Sequence, residues 1–218
     1  MQYQAVVFDM DGVIFDTERL VIEFWKEVAK RHNIPNVEHT CIQCLGTNRV
    51  RTREIFLENY GADFPFDSYR AEVTELFNTH YKGVPLPTKP GVRELLSYLQ
   101  EQDIKVGLAS STAQHLVRDE IGTAGLLPYF QTLVCGDMVE HSKPAPDIFL
   151  KACEILNADP TKSIAIEDSF NGIRSAHCAG MTPIMVPDQV QPTDEIRALA
   201  FHVMPSLLDV LNWLKTLA

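Results

Sequence analysis

The sequence has no long hydrophobic segment. It contains no run of about 18 or more apolar residues, the length that a helix needs to cross a bilayer. Its first residues, MQYQAVVFDMDG, carry no basic segment ahead of a short apolar run, so they lack the pattern of a secretory signal. We therefore expect a cytoplasmic protein with no membrane partner.

Basic residues are also scarce. The chain has 19 lysines and arginines against 29 aspartates and glutamates, which gives a formal net charge of −10 at pH 7. A surface of this charge repels nucleic acids and anionic lipids, so neither is expected as a partner. A site that binds an anion must instead be local and use a metal ion, a few cations or backbone N–H groups.

The five cysteines show no disulfide-like spacing. Their number is odd, which fits reduced thiols in an intracellular protein. Cys41 and Cys44, with His39 nearby, could begin a zinc site, but no second ligand pair at zinc spacing accompanies them. We interpret these cysteines as ordinary buried or half-buried residues.

Hydrophobic periodicity predicts alternating strands and helices. The 218 residues are 45% hydrophobic, enough for one good-sized core and a smaller appendage. Alternation of this kind is typical of a parallel sheet covered by helices. The predicted strands are 3–8, 105–109, 132–135, 163–166, 182–186 and 202–204. The predicted helices are 18–31, 48–60, 67–82, one around 92–99, one starting near 113, 147–156, 171–179 and 206–217.

The domain organisation follows from the first strand. Residues 3–8 have the buried character of the later strands, and the Pro- and Gly-rich segment 82–91 reads as a linker. The predicted fold class is α/β, with a Rossmann-like parallel-sheet core formed by residues 1–17 and 85–218. Residues 18–84 would be a helical insertion.

Polar residues follow three of the predicted strands directly, and a lysine follows a fourth. In parallel α/β sheets the ligand lies beyond the carboxyl ends of the strands. Taken singly, these residues could be turns, helix caps or solvated charges, but capping explains their joint placement poorly. They are Asp9 and Asp11 with Gly12, then Ser110, Ser111 and Thr112, then Lys143, and finally Glu167 and Asp168 with Asn171 close behind.

Together these groups suit phosphoryl transfer. Carboxylate oxygens are the preferred ligands of Mg²⁺, which neutralises phosphate charge. A lysine and hydroxyl donors can bind phosphate oxygens, and a carboxylate can itself be the nucleophile. The sequence therefore predicts an enzyme for a phosphorylated substrate, with Mg²⁺ as its cofactor.

Four segments resemble the ordered motifs of the haloacid dehalogenase superfamily. They are DMDGV at 9–13, LASS at 108–111, SKPAPD at 142–147 and IEDSFNGI at 166–173. The resemblance covers the whole chain, because the insertion at 18–84 is similar to the α-helical cap domain of a particular subgroup. That subgroup contains β-phosphoglucomutase and the small sugar-phosphate phosphatases.

The resemblance implies a role for each motif residue. Asp9 would be the nucleophile, Asp11 the general acid and base, and Ser110 and Lys143 the phosphate ligands. The metal ligands would be Asp9, Asp11 through its backbone carbonyl, Asp168, and Glu167 beside it.

Residues of the cap and its hinge are expected to contact the substrate. Arg49 resembles the arginine with which related caps hold the distal end of a substrate, although arginines at 49, 51 and 53 could equally form a solvated helix face. Thr17 and Glu18 lie at the hinge, where Thr17 could simply cap a helix. The predicted substrate-binding residues are Thr17, Glu18, Arg49, Ser111 and Asn171, whereas His115 and His141 are interpreted as surface residues.

The expected function is Mg²⁺-dependent hydrolysis of a small phosphorylated metabolite, a sugar or polyol phosphate, by a monomer. Asp9 would attack phosphorus while Asp11 protonates the leaving alcohol, and Asp11 would then activate water. The acidic pair Glu167 and Asp168, with Asp11, disfavours the metal-free dehalogenase chemistry of the same superfamily.

Two alternatives remain. A sugar phosphomutase would return the phosphoryl group to its substrate, but Val21 stands where mutases of this kind have a histidine, and Phe15 also replaces a smaller polar residue of that family. A catalytically inactive binding module is the second alternative, and the intact motif residues argue against it.

Overall fold

The computed structural model describes residues 3–217, and a parallel six-stranded sheet forms its centre. The strand order is β3-β2-β1-β4-β5-β6, and every neighbouring pair is parallel. This confirms the predicted α/β class. The strands are β1 (Ala5–Phe8), β2 (Lys105–Ser110), β3 (Thr132–Cys135), β4 (Ser163–Glu167), β5 (Thr182–Met185) and β6 (His202–Val203).

The helices agree with the predicted pattern except at two short elements. Helices α2 and α9 were not predicted, because seven and six residues are too few for a clear apolar period. The first four helices are α1 (Thr17–His32), α2 (Val37–Gln43), α3 (Arg49–Tyr60) and α4 (Phe66–Tyr81). The others are α5 (Val92–Glu101), α6 (Gln114–Thr123), α7 (Asp147–Leu156), α8 (Phe170–Cys178), α9 (Asp194–Leu199) and α10 (Leu207–Lys215).

Both faces of the sheet are buried. Along β1, Val6 and Phe8 belong to one hydrophobic cluster, whereas Ala5 and Val7 belong to another. Successive strand side chains point to opposite faces, so β1 is covered on both sides and its run of apolar residues is explained. Because β2 and β4 flank β1, the direction in which strands are added reverses there, and a crevice is expected at the carboxyl end of β1.

Helices α1 to α4 pack around a separate hydrophobic cluster. The ring of Trp25 lies 4.4 Å from that of Phe56, and Phe56 lies 5.1 Å from Phe66, measured between ring centroids. All three side chains are buried. This separate core supports the predicted helical insertion, whose boundaries at 17/18 and 84/85 stay a prediction.

Two chain segments connect this helical group to the sheet, one just before α1 and one after α4, and they run side by side. Phe15 forms a β-bridge with Thr88, and the backbone N–H of Asp16 donates to the carbonyl of the neighbouring connection. The ammonium of Lys89 lies 2.6 Å from Asp188 Oδ1 and 3.7 Å from Asp16 Oδ1. These contacts tie both connections to the core.

Within residues 3–217, no helix combines the length and the apolar character that a membrane span requires.

Candidate active site

The predicted motif residues converge at the carboxyl edge of the sheet. Asp9 and Asp11 directly follow β1, Ser111 and Thr112 follow β2, and Asp168 follows β4. Because β1 lies between β2 and β4, these residues meet at the crevice that the strand order predicts. Ser110 and Glu167 are themselves the last residues of their strands.

A buried lysine joins three of these strand ends. Lys143 Nζ donates hydrogen bonds to Asp9 Oδ1 at 2.5 Å, Glu167 Oε1 at 2.6 Å and the carbonyl of Ala109 at 2.9 Å. Only 1% of its side chain is exposed. Burial alone would lower the pKa of Lys143, but the carboxylates of Asp9 and Glu167 raise it above its ordinary value. Lys143 is therefore charged and fixed against the proposed nucleophile.

Both carboxylate oxygens of Glu167 already have partners. Oε1 accepts from Lys143, and Oε2 accepts from the backbone N–H groups of Asp168 and Ser169 and from the Ser169 hydroxyl. A Cβ atom at Gly172 would lie 1.8 Å from the carboxyl carbon of Glu167. The glycine therefore makes room for this carboxylate, which orients Lys143.

The neighbouring Asp168 has a free carboxylate oxygen. Its Oδ2 is buried and has no hydrogen-bond partner in the part of the chain that the structure describes. Burial, with the nearby charges of Glu167 and Asp9, raises the pKa of Asp168 well above its ordinary value. A Cβ atom at Gly12, whose φ is +80°, would lie 2.3 Å from this oxygen. Gly12 thus lets the chain after β1 approach Asp168 closely.

These carboxylates fit a hard divalent cation. Asp9, Glu167 and Asp168 each place an oxygen within 4.8 Å of the others. An unpaired buried carboxylate oxygen is costly, and a bound cation would compensate it. Since the oxygens of Glu167 are taken by hydrogen bonds, Asp168 and Asp9 are the better direct ligands.

Asp9 experiences opposing influences on its charge. Burial raises its pKa, the ammonium of Lys143 opposes this rise, and the carboxylates of Glu167 and Asp11 add to it. The site thus places several carboxylates around one lysine, so an incoming phosphate would be repelled without a further cation.

Asp11 is held by two threonine hydroxyls. Thr17 Oγ1 donates to Asp11 Oδ1 at 2.6 Å, and Thr112 Oγ1 donates to Oδ2 at 3.0 Å. Thr17 begins α1 but makes no side-chain cap there, which answers the capping alternative. The contact from Thr112 was not predicted, and its only sequence signal is a hydroxyl shortly after β2.

A cleft of about 1140 Å³ lies between the sheet edge and helices α1 to α4. The loop between α2 and α3 packs closely against the core at Gly46, where a Cβ atom would lie 2.4 Å from Ser169 Oγ. The core side of the cleft includes Asp9, Asp11, Ser111, Thr112 and Asp168, and the helical side includes Glu18, Val21, Arg49, Arg70, Thr74 and Asn78.

The predicted substrate-binding residues are distributed unequally around this cleft. Glu18 lines it, and burial, followed by the charges of Asp11 and Asp9, raises the pKa of Glu18 well above its ordinary value. Arg49 lies at the rim with its side chain 75% exposed and is paired with Asp67 at 3.1 Å.

Ser110 and Asn171 lie away from the cleft surface. Ser110 is fully buried, and its hydroxyl accepts a hydrogen bond from the backbone N–H of Thr112. Asn171 lies on α8, outside the cleft lining, with Oδ1 3.5 Å from Arg174 Nη1. Ser111 does line the cleft, with its hydroxyl 3.5 Å from the carbonyl of Gly46.

The histidines and cysteines that the sequence raised have ordinary surroundings. His141 is exposed and pairs with Asp147 at 3.0 Å, and His115 is exposed at the border of the cleft. Cys41 is buried and Cys44 is half-buried. Across residues 3–217, the carboxylate group described above is the only cluster of three or more metal-ligand side chains.

The sequence comparisons identify the family. Residues 6–186 match the profile of the haloacid dehalogenase-like hydrolases. The chain is 34% identical to the phosphorylated carbohydrates phosphatase of Thermotoga maritima, over 83% of either chain. It is 33% identical to the β-phosphoglucomutase of Bacillus subtilis, over 87% of this chain and 85% of that one.

A solved structure shows the same fold. The β-phosphoglucomutase of Clostridium difficile superposes with a TM-score of 0.81 at 24% identity, over 98% of this chain and 96% of that one. The family match over residues 6–186 and the relatives above 30% identity show that the chain belongs to the haloacid dehalogenase-like hydrolase family. Within that family it is a hydrolase of the phosphatase type.

Replacing Gly172 tests the packing around Glu167. We expect Gly172→Ala to destabilise the protein by about 1–3 kcal/mol, because the new Cβ overlaps a carboxylate held by three N–H or O–H donors and a lysine. The measurement is the free energy of unfolding in urea.

The matched control is Gly122→Ala, where a Cβ atom on α6 would meet nothing within 4 Å. This control should be neutral or stabilising by up to about 1 kcal/mol, because alanine is the better helix former. Equal effects of the two substitutions would contradict the argument.

Proposed function

We propose that this protein is a Mg²⁺-dependent phosphatase that hydrolyses a small phosphorylated sugar or polyol through a phosphoaspartate on Asp9. The observation that carries this proposal is the contact of Asp9 with charged Lys143, in a cleft that Asp11 and Asp168 also line. Asp168 Oδ2 has no hydrogen-bond partner within residues 3–217. No other constellation in residues 3–217 combines a candidate nucleophile, an acid and a cation site.

Asp9 is suited to attack phosphorus. Its Oδ1 accepts from Lys143, whereas Oδ2 has no hydrogen-bond partner within residues 3–217. The lysine keeps the carboxylate oriented, and its charge would stabilise the negative charge that develops on the transferring phosphoryl group. Attack forms an O–P bond to Asp9 and breaks the bond to the leaving alcohol oxygen.

Asp11 is suited to serve both half-reactions. The leaving alcohol needs a proton in the first step, and water must lose one in the second. The hydroxyls of Thr17 and Thr112 can donate to a carboxylate or accept from a carboxylic acid. Asp11 can thus keep its position in both protonation states.

The cation would be held by Asp168 and Asp9, with the backbone carbonyl of Asp11 as a further ligand. When bound, Mg²⁺ would neutralise phosphate charge at a site that otherwise carries several carboxylates. Glu167 would act beside the metal by holding Lys143 rather than by direct ligation, since its oxygens accept hydrogen bonds.

The lining of the cleft supports a hydroxyl-rich substrate. Its helical side presents Thr47, Asn48, Thr52, Thr74 and Asn78, which can exchange hydrogen bonds with sugar or polyol hydroxyls. A relative that is 34% identical over 181 residues is named as a phosphatase of phosphorylated carbohydrates, which favours the same substrate class.

A phosphomutase is the rival function, favoured by the relatives that carry that name. Against it, Val21 lines the cleft on α1 and can neither donate nor accept a proton. Without a polar gate at this position, water should reach the phosphoenzyme. We therefore favour hydrolysis.

Asp9→Asn should abolish phosphate release from a chromogenic phosphate ester. We expect activity below about 0.1% of the wild type, because the amide keeps the shape of the side chain but is not a nucleophile. Asp119→Asn, at an exposed position of α6, is the control and should retain full activity. Activity above a few per cent in well-folded Asp9→Asn protein would show that the nucleophile is misassigned.

Activity should depend on Mg²⁺. We expect EDTA to abolish phosphate release and added Mg²⁺ to restore it, while Ca²⁺ supports it poorly because its larger, looser shell misplaces the phosphate against Asp9. Asp168→Asn should raise the Mg²⁺ concentration for half-maximal activity by about tenfold or more. Full activity after rigorous chelation would rule out the metal.

Incubation with β-glucose 1-phosphate, Mg²⁺ and a trace of glucose 1,6-bisphosphate separates phosphatase from mutase. We expect free phosphate to be the main product, measured against glucose 6-phosphate with a coupled dehydrogenase. Rapid formation of glucose 6-phosphate in large excess over phosphate would reassign the protein as a mutase. Val21→His is the companion variant. We expect it to release less phosphate, relative to glucose 6-phosphate, than the wild type does.

A further inference from the structure

Within residues 3–217, one arginine of the helical cap has no carboxylate partner, unlike the other arginines of the cap. Arg49 and Arg53 are paired with Asp67 at 3.1 and 3.3 Å. Arg51 is paired with Glu58 at 2.8 Å. Arg70, on α4, forms no ion pair with any residue in the described range 3–217, and Arg70 Nη1 donates a long hydrogen bond to Thr74 Oγ1 at 3.5 Å.

Arg70 is also placed differently. It is half-buried and lines the cleft, whereas Arg49, Arg51 and Arg53 are exposed. Burial, followed by the like charge of Arg49, lowers the pKa of Arg70 from its ordinary value. An arginine nevertheless stays protonated, so a charged group with weakened hydration remains to be satisfied inside the cleft.

The helical period extends this polar surface along the cleft. Arg70, Thr74 and Asn78 are four residues apart, so they occupy one face of α4, and all three line the cleft. Glu75 lines it as well, but within the described chain it makes no ion pair with Arg70. The hydroxyl and amide groups suit the body of a polyol, whereas the guanidinium is suited to an anion.

We propose that Arg70 binds a second acidic group of the substrate, at the end away from the transferred phosphoryl group. The favoured substrates are then phosphorylated sugar acids or bisphosphates rather than neutral sugar phosphates. A guanidinium presents a planar set of donors that matches a carboxylate or phosphate with two parallel hydrogen bonds. This inference rests on the proposed phosphatase function and assigns its specificity to the cap.

Arg49 is less suited to this task in the observed arrangement. Its side chain is 75% exposed, and its guanidinium is already paired with Asp67, which also pairs with Arg53. A distal anion would have to displace that carboxylate. At Arg70 no such competitor stands in the way.

The test compares two substrates that differ only at the distal carbon. Sorbitol 6-phosphate has a neutral hydroxymethyl group there, and 6-phosphogluconate has a carboxylate. We expect wild-type kcat/KM to favour 6-phosphogluconate. Arg70→Met should lower kcat/KM for that substrate by roughly 10- to 100-fold, mainly through KM, as expected for loss of a charge-assisted hydrogen bond. The kcat/KM of Arg70→Met for sorbitol 6-phosphate should stay within about threefold of the wild-type value.

Two further variants make the comparison specific. Arg70→Lys keeps the charge without the planar fork, so it should recover part of the preference for 6-phosphogluconate. Arg51→Met removes an exposed, ion-paired arginine of α3 and should leave kcat/KM unchanged for both substrates. Fructose 1,6-bisphosphate against fructose 1-phosphate provides the same contrast with a distal phosphate.

Binding to the Asp9→Asn variant provides a readout that does not require turnover. Calorimetry should show tighter binding of 6-phosphogluconate than of sorbitol 6-phosphate, and Arg70→Met in the same background should remove the difference. Equal effects on acidic and neutral ligands, or a wild-type preference for the neutral ones, would overturn the assignment of Arg70. Absence of phosphate release from every substrate, with the binding preference intact, would instead reject the phosphatase function alone.

Discussion

The buried ammonium of Lys143 is the interaction on which the rest of the site depends. It bonds both Asp9 and Glu167 at hydrogen-bond distance with almost no exposure to solvent. A buried charge without partners is costly, so the loop that carries Lys143, the end of β1 and the end of β4 must meet in one arrangement. The ion pairs are weak evidence for stability, but they show how the proposed nucleophile Asp9 is held.

Two glycines permit this crowding of charges. Gly172 leaves space for the carboxylate of Glu167, and Gly12 lets the turn after β1 approach Asp168. Both carboxylate oxygens of Glu167 accept hydrogen bonds, whereas Asp168 Oδ2 has no partner within residues 3–217. The two adjacent carboxylates are therefore suited to different roles. One orients the lysine, and the other is available to a cation. The chemistry of the site thus follows from which oxygen atoms are already satisfied.

In the proposed function, the helical cap adds selectivity to a core whose chemistry would suit any phosphate monoester. Its loop at Gly46 packs against Ser169 of the core, so the cleft is bounded by both parts of the chain. Through Thr17, the first cap helix also holds Asp11, which links the cap to the proposed acid and base. Arg70 and Val21 of the cap line the same cleft as these carboxylates, and we propose that they govern substrate recognition.

The sequence alone determined the α/β class, the strand ends that carry the site and most helix bounds. Strand β3 and helix α7 were predicted at their observed residues, because buried strands and amphipathic helices have periods that local sequence records. Short elements such as α9 were not predicted, because six residues are too few to show a clear period. Only the tertiary structure decided the side-chain partners. Thr112 meets Asp11 across 101 residues, and Lys143 meets Asp9 across 134. Asn171 lies outside the cleft lining, and Arg70 has no carboxylate partner within residues 3–217. Such placements depend on packing between distant segments rather than on any local pattern.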